Sequence, residues 1–91
     1  MEKVGLLAGI GNLPVAFMRA AQQSGHAVVV IAVVPDVAPE LAEEADVYYE
    51  INVAKLNKII KTLRSHDVDK VTMIGKVTKE ILFKGLKMPD L

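Results

Sequence analysis

Apolar residues along the chain follow two patterns, short continuous runs and helical repeats. The runs cover residues 3–8, 27–34, 47–51 and 70–74. Each run has the length and the apolar or β-branched content of a β-strand. The second run is apolar at every position, which is typical of a strand covered on both faces, as in a parallel sheet.

Three helices are predicted between these strands. The first begins after Asn12, has Pro14 in its first turn and is closed by Gly25, all of which are favoured residues at those places. The second is a short acidic segment over residues 39–45. The third is the clearest, because its apolar residues recur at i, i+3, i+4 and i+7: Leu56, Ile59, Ile60 and Leu63.

The alternation of strands and helices predicts an α/β fold. With right-handed crossovers it forms a Rossmann-like three-layer sandwich, about four parallel strands with helices on both faces. We predict that residues 1–76 form this domain. Residues 77–91 are unusually apolar for the end of a domain. They either lead to or dock on a further domain or partner, or fold back as a short helix on their own sheet.

A glycine-rich loop follows the first predicted strand and opens the first helix. Ligands of such sheets bind beyond the carboxyl ends of the strands. Glycines let main-chain N–H groups approach a phosphate, and a helix N-terminus adds partial positive charge. The loop therefore predicts a phosphate-binding cradle, with a purely structural turn as the alternative. Its candidate residues are Gly9, Gly11, Asn12, Leu13 and Pro14.

The loop matches the dinucleotide fingerprint only in part. Pro14 stands where the third glycine or alanine of that fingerprint is usual. The acid that binds the ribose is also missing from the end of the second strand, where Ala32 stands. Asp36 lies beyond Pro35 and would have to reach back. These departures argue against NAD as the ligand.

A second loop, Gly75-Lys76, follows the fourth predicted strand. A lysine at this edge of the sheet can neutralise a phosphate as a point charge, although a solvated lysine is an equal alternative. Asp67 and Asp69 are interpreted as a turn at the opposite edge, and His26 also lies there. No nucleophile–base pair, paired carboxylates or metal-ligand spacing is recognisable.

Composition excludes several classes of protein. Eleven Lys plus Arg balance eleven Asp plus Glu, and cysteine is absent. A disulfide scaffold and a thiolate site are excluded, and the zero net charge argues against electrostatic capture of nucleic acid or an anionic bilayer. No apolar run is long enough to span a membrane. We expect a soluble, cytoplasmic domain.

The motifs of both loops resemble those of the LpxI family. The resemblance rests on A-G-I-G-N-L-P-V at residues 8–15, S-G-H at 24–26, G-K-V at 75–77 and L-F-K-G-L-K-M-P-D-L at 82–91. It extends over nearly the whole chain but covers only the N-terminal, Rossmann-like domain of the family, whose members are longer.

The resemblance implies an enzyme of lipid A biosynthesis. LpxI-family enzymes hydrolyse UDP-2,3-diacylglucosamine at its α-phosphorus, with a divalent metal ion, expected to be Mg²⁺, and release UMP and lipid X. The acidic catalytic and metal-binding residues of the family belong to its C-terminal domain, so none is assigned here. The matching loop residues, Gly9, Gly11, Asn12, Leu13, Pro14, Gly75 and Lys76, are expected to line the substrate crevice.

This resemblance leads to further expectations about the chain. The 91 residues alone are expected to bind the substrate weakly and not to hydrolyse it. A homodimer and peripheral contact with a membrane are possible partnerships. The alternatives are a nucleotide- or NAD-binding module of another enzyme and a non-catalytic dimerisation or regulatory domain.

Overall fold

The computed structural model describes residues 2–77 as a parallel sheet with helices on both faces. The elements in chain order are β1 (Lys3–Ala8), α1 (Leu13–Gln23), β2 (Ala27–Ala32), α2 (Glu40–Glu44), β3 (Val47–Glu50), α3 (Leu56–Ser65) and β4 (Lys70–Ile74). All strand pairs are parallel. The predicted fold class is confirmed, while the expected apolar tail lies outside the described residues from position 78 onward.

Two apolar cores lie on opposite faces of the sheet. On the first face, α1 and α2 pack on Leu6, Ala8, Val28 and Val30. On the second face, α3 packs through Ile59 and Leu63 against a cluster that includes Ile31, Val33, Val34 and Ile51. β2 contributes to both cores, and this explains why its sequence is apolar without alternation.

β2 ends earlier than the apolar run predicts. The strand ends at Ala32, although Val33 and Val34 are also buried. The Val33 N–H donates to the Ala8 carbonyl (3.1 Å), and the Val33 carbonyl accepts from Val53 (3.0 Å). Val33 is thus held by packing and by two backbone bonds beyond the assigned strand, and Val34 is buried by packing; the apolar run alone cannot distinguish such burial from a longer strand.

The two ends of α1 differ in how closely they follow the sequence prediction. Gly25 has φ of 88° and donates to the Gln22 carbonyl, while His26 donates to Ala21, which together form a Schellman motif. Asn12 occupies the N-cap position, but its backbone is helical and its side chain forms no capping hydrogen bond. Capping requires the extended backbone that Asn12 does not adopt.

The order of the strands locates the topological switch point. In the sheet they lie in the order β3-β2-β1-β4. The chain therefore moves outward from β1 to β3 and then returns through α3 to the other side of β1. The reversal occurs between β1 and β4, whose carboxyl ends are a favoured place for ligands in doubly wound folds. No helix within residues 2–77 is long and apolar enough to cross a membrane.

Candidate functional site at the carboxyl edge of the sheet

The loops after β1 and β4 are bonded to each other at the switch point. The Gly9 N–H donates to the Ile74 carbonyl (2.8 Å), and Ile10 and Lys76 exchange two backbone hydrogen bonds of 3.0 and 2.9 Å. These bonds form a short antiparallel bridge. The structure thus brings together the two loops that the sequence indicates separately.

Two glycines permit this close approach of one backbone to the other. A Cβ atom on Gly9 would lie 2.6 Å from the Lys76 carbonyl oxygen, and one on Gly75 would lie 2.7 Å from the Gly9 carbonyl carbon. Gly75 also has φ of 109°. The Gly9 N–H, expected to face a phosphate, is instead used within the protein, so Gly9 contributes to the site by allowing the two loops to pack.

Open donors remain at the N-terminus of α1. Among the described residues, the N–H groups of Gly11, Asn12 and Leu13 have no backbone acceptor, and all three residues are exposed. Gly11 has φ of 118° and open space around it. Pro14 is buried and has no N–H to donate. The capacity to bind an anion therefore lies at Gly11 to Leu13, on the positive end of an 11-residue helix.

Lys76 is exposed at the same edge of the sheet. Its backbone is fixed by the bridge to Ile10, so the base of the side chain is anchored while the ammonium group is accessible to solvent. A single cation beside the N-terminus of α1 increases the positive potential at this edge.

A cleft of about 670 Å³ lies one strand away from the glycine loop, beyond the carboxyl ends of β2 and β3. Its volume is within the usual range for small-molecule sites. The end of β2, the chain leading into α2, and the end of β3 form its walls. The lining residues are Ala32, Val33, Val34, Pro35, Asp36, Val37, Ala38, Pro39, Ala42, Glu43, Tyr48, Glu50, Ile51 and Asn52.

The polar groups of the cleft are mainly hydrogen-bond acceptors. Three carboxylates line it, from Asp36, Glu43 and Glu50, and no lysine or arginine is among the described lining residues. The remaining wall is largely aliphatic. Such a cleft suits a ligand with hydroxyl or N–H donors and an apolar ring, and it repels a phosphate.

Asp36 reaches this cleft through an unusual backbone conformation. Its φ is 65°, in the left-handed region that aspartate tolerates better than most residues. The turn after Pro35 places Asp36 in the same cleft as Ala32, at the end of β2. Asp36 therefore shares a cleft with the end of β2 although Pro35 separates it from the strand.

Tyr48 and Glu50 are a pair that sequence reasoning missed. The Tyr48 hydroxyl donates to a Glu50 carboxylate oxygen (3.2 Å), while its ring packs against the α1-side core. Their i, i+2 spacing on β3 places both on one face at the carboxyl end of the strand. That spacing was the available signal, because a tyrosine and a glutamate two residues apart on a strand share a face and can form a hydrogen bond.

We expect Tyr48 to ionise at higher pH than an ordinary tyrosine. Partial burial, followed by the neighbouring Glu50 carboxylate, raises the pKa of the phenol. The neutral form is favoured by folding, so this contribution to stability is lost as pH rises from about 10. Absorbance titration of tyrosinate should show a late component that Tyr48→Phe removes. Glu50→Gln should lower the pKa of this late component only partly toward that of an ordinary tyrosine, since burial persists. Persistence of the late component in Tyr48→Phe would contradict its assignment to Tyr48.

The other polar residues considered lie away from this edge. His26 is at the amino-terminal edge, 3.1 Å from a Glu2 oxygen. Asp69 accepts a hydrogen bond from the Lys3 N–H (2.9 Å), and Asp67 has φ of 53° in the turn after α3. These positions agree with their interpretation as edge and turn residues.

Comparison with known families supports the resemblance of the loops. The family model of the LpxI N-terminal domain matches residues 3–91. Comparison with the curated proteins finds no match. The matched range contains every element of the described fold and both loops of the switch point. The chain therefore belongs to the LpxI N-terminal domain family, a family of lipid A biosynthesis enzymes.

Proposed function

We propose that this domain binds UDP-2,3-diacylglucosamine for hydrolysis to UMP and lipid X by an LpxI-type enzyme. The observation that supports it best is the pairing of two different environments at one edge of the sheet. Open amide donors at the N-terminus of α1 lie next to a cleft lined by carboxylates and aliphatic side chains. A nucleoside diphosphate needs both environments, one for each end.

The diphosphate is assigned to the N-terminus of α1. The amides of Gly11, Asn12 and Leu13 point out of the first turn, where helix donors are unsatisfied and the dipole favours negative charge. Lys76 adds a mobile cation at the same edge. Together they hold phosphate oxygens and draw negative charge toward the switch point.

The nucleoside is assigned to the neighbouring cleft. Ribose hydroxyls and a ring N–H can donate to the carboxylates of Asp36 and Glu50, while the base packs on the aliphatic wall. Adjacent strands lie about 4.8 Å apart. The ends of β1 and of β2 and β3 are therefore about 5 to 10 Å apart, which suits the span from phosphate to nucleoside.

The described residues bind and orient the substrate but offer no hydrolytic machinery. Within residues 2–77, no three His, Asp or Glu side chains lie together to hold a metal ion. The Mg²⁺ that the resemblance implies is therefore assigned to residues outside this range, and no step of this proposal goes through it. Attack of water on the α-phosphorus is assigned to groups outside residues 2–77.

Binding of UMP to the 91-residue chain tests this proposal by calorimetry. The double variant Asp36→Asn/Glu50→Gln should weaken binding about tenfold, because the amide oxygens still accept hydrogen bonds but without the charge, at about 0.7 kcal/mol for each bond. Glu40→Gln is the matched control, since Glu40 lies on α2 but does not line the cleft. Equal affinities of the double variant and the control, or no binding of UMP to the unmodified chain, would reject it.

A nicotinamide-binding module is the second candidate. The placement of Asp36 in the cleft at the end of β2 favours it, because an acid in that region binds the ribose of NAD in many doubly wound folds. Pro14 remains a departure from the fingerprint. Tighter binding of NADH than of UMP, measured by cofactor fluorescence, would favour this candidate over the first.

A further inference from the structure

The positive and negative charges of the chain sum to zero, but the helices on the two faces of the sheet carry opposite charges. α3 and its N-cap residue contain four basic residues and no acidic ones. α2, on the other face, contains three glutamates in five residues and no basic residue. The zero net charge argues against electrostatic attraction of the whole chain to an anionic bilayer. The face that carries α3 is nevertheless basic and can be attracted to one. The basic residues are Lys55, Lys58, Lys61 and Arg64.

The four basic side chains of α3 are exposed and do not form ion pairs within the described part of the chain. The ion pairs recorded there join Arg19 to Glu44 and His26 to Glu2. Arg19 on α1 differs from the basic residues of α3, because its guanidinium donates two hydrogen bonds to the Glu44 carboxylate. The charge of α3 is therefore available to an external partner, whereas that of α1 is neutralised locally.

Large apolar side chains on α3 and on the edge strand β4 are also exposed. On α3, Leu56 is 57% and Ile60 38% exposed. On the edge strand β4, Val71 and Met73 are 51% and 53% exposed. They pair in register with Gly5 and Leu7.

These β4 side chains lie on the sheet face that α3 covers. The helix packs so closely over β1 that a Cβ atom on Gly5 would lie 2.8 Å from Leu63 Cδ2. It covers β1 but leaves much of Val71 and Met73 on β4 accessible. We define the α3 surface as Lys55, Leu56, Lys58, Ile60, Lys61, Arg64, Val71 and Met73.

We propose that the α3 surface docks on an anionic phospholipid bilayer. Lysine and arginine beside exposed aliphatic side chains are typical of surfaces that lie in the headgroup region, where cations attract anionic lipid and apolar groups enter the acyl boundary. The acidic α2 face is repelled by the same surface. The opposite charges of the two faces therefore orient the domain, with α3 toward the bilayer and the carboxyl edge of the sheet lying along it.

Sedimentation with vesicles tests this inference without any nucleotide ligand, so its outcome is independent of the proposed function. The full chain should bind vesicles of phosphatidylcholine with about 30% phosphatidylglycerol more tightly than vesicles of phosphatidylcholine alone, because basic side chains near the surface are attracted to anionic lipid. Lys58→Gln/Lys61→Gln should weaken binding about 25-fold, from about fivefold for each charge. Binding should also weaken at high salt.

Lys3→Gln/Lys70→Gln is the matched control, because it changes the net charge equally at the amino-terminal edge of β1 and β4. It should retain nearly all of the binding. Equal losses in the two double variants would show that only net charge matters and would overturn the α3 surface. Equal binding to both kinds of vesicle would overturn the bilayer as its partner.

Leu56→Ser separates the apolar contribution from charge. It should weaken vesicle binding severalfold while leaving the melting temperature nearly unchanged, since Leu56 is mostly exposed. A change in self-association without any change in vesicle binding would assign the surface to a second copy of the chain and overturn the proposal.

Discussion

Replacing Gly9 with alanine is expected to lower the free energy of unfolding by about 3 kcal/mol. The added methyl would lie 2.6 Å from the Lys76 carbonyl oxygen and 2.9 Å from two further backbone atoms of Gly75 and Lys76. Backbone atoms cannot rotate away as a side chain can, so the loops after β1 and β4 must separate. Urea denaturation of the variant beside the unmodified chain measures the loss.

Hydrogen exchange shows whether that loss arises at the switch point. In Gly9→Ala, the amides of residue 9, Ile10 and Lys76 should lose protection, because their mutual bonds require the close approach. Gly11→Ala is the contrasting variant: nothing lies within 4 Å of its added methyl, so only its φ of 118° is strained. Protection of the bridge should persist there. Full protection of the bridge in Gly9→Ala would contradict the assigned role of Gly9.

Replacing Leu6 with alanine is expected to cost about 2 to 5 kcal/mol. Leu6 is fully buried on β1, a central strand, and contributes to the core beneath α1 and α2. A domain of this size has a total stability of about 5 to 14 kcal/mol, so this one cavity removes a large fraction. The melting temperature should fall by about 8 °C or more, at about 4 to 8 °C per kcal/mol.

Leu13→Ala is the matched control for that loss. The same atoms are removed, but Leu13 is 71% exposed at the first turn of α1. Alanine also has a higher helix propensity than leucine. The melting temperature should change by only a degree or two. Similar losses at the two positions would show that the core does not lie where the structure places it.

The chain shows how far local pattern determines this fold. The bounds of β1 and β4 and the closure of α1 at Gly25 agree with the sequence prediction, because apolar periodicity and glycine chemistry act over a few residues. The carboxyl end of β2 does not agree, because the core also buries Val33 and Val34 beyond the strand's last residue, Ala32, and burial alone makes them apolar. Asn12 likewise occupies the predicted position but does not form the capping bond.

The candidate site was predictable only in part. Its place at the ends of β1 and β4 follows from the glycine motifs and the rule for parallel sheets. The use of the Gly9 amide within the protein does not, since it depends on β4 being the neighbour of β1. The cleft was also missed, because its walls come from three separate segments, residues 32–39, 42–43 and 48 with 50–52, which only the folded chain brings together.

Residue order alone thus specifies the α/β class, the helical and extended segments and the zero sum of charges, since these depend on composition and on neighbours a few positions apart. Strand order and helix placement decide which amides remain open, that Asp36 and Glu50 share one cleft, and which faces of the sheet the acidic α2 and the basic α3 occupy. Those properties depend on distances in space between remote segments. Such distances are set when the apolar faces of all elements pack together.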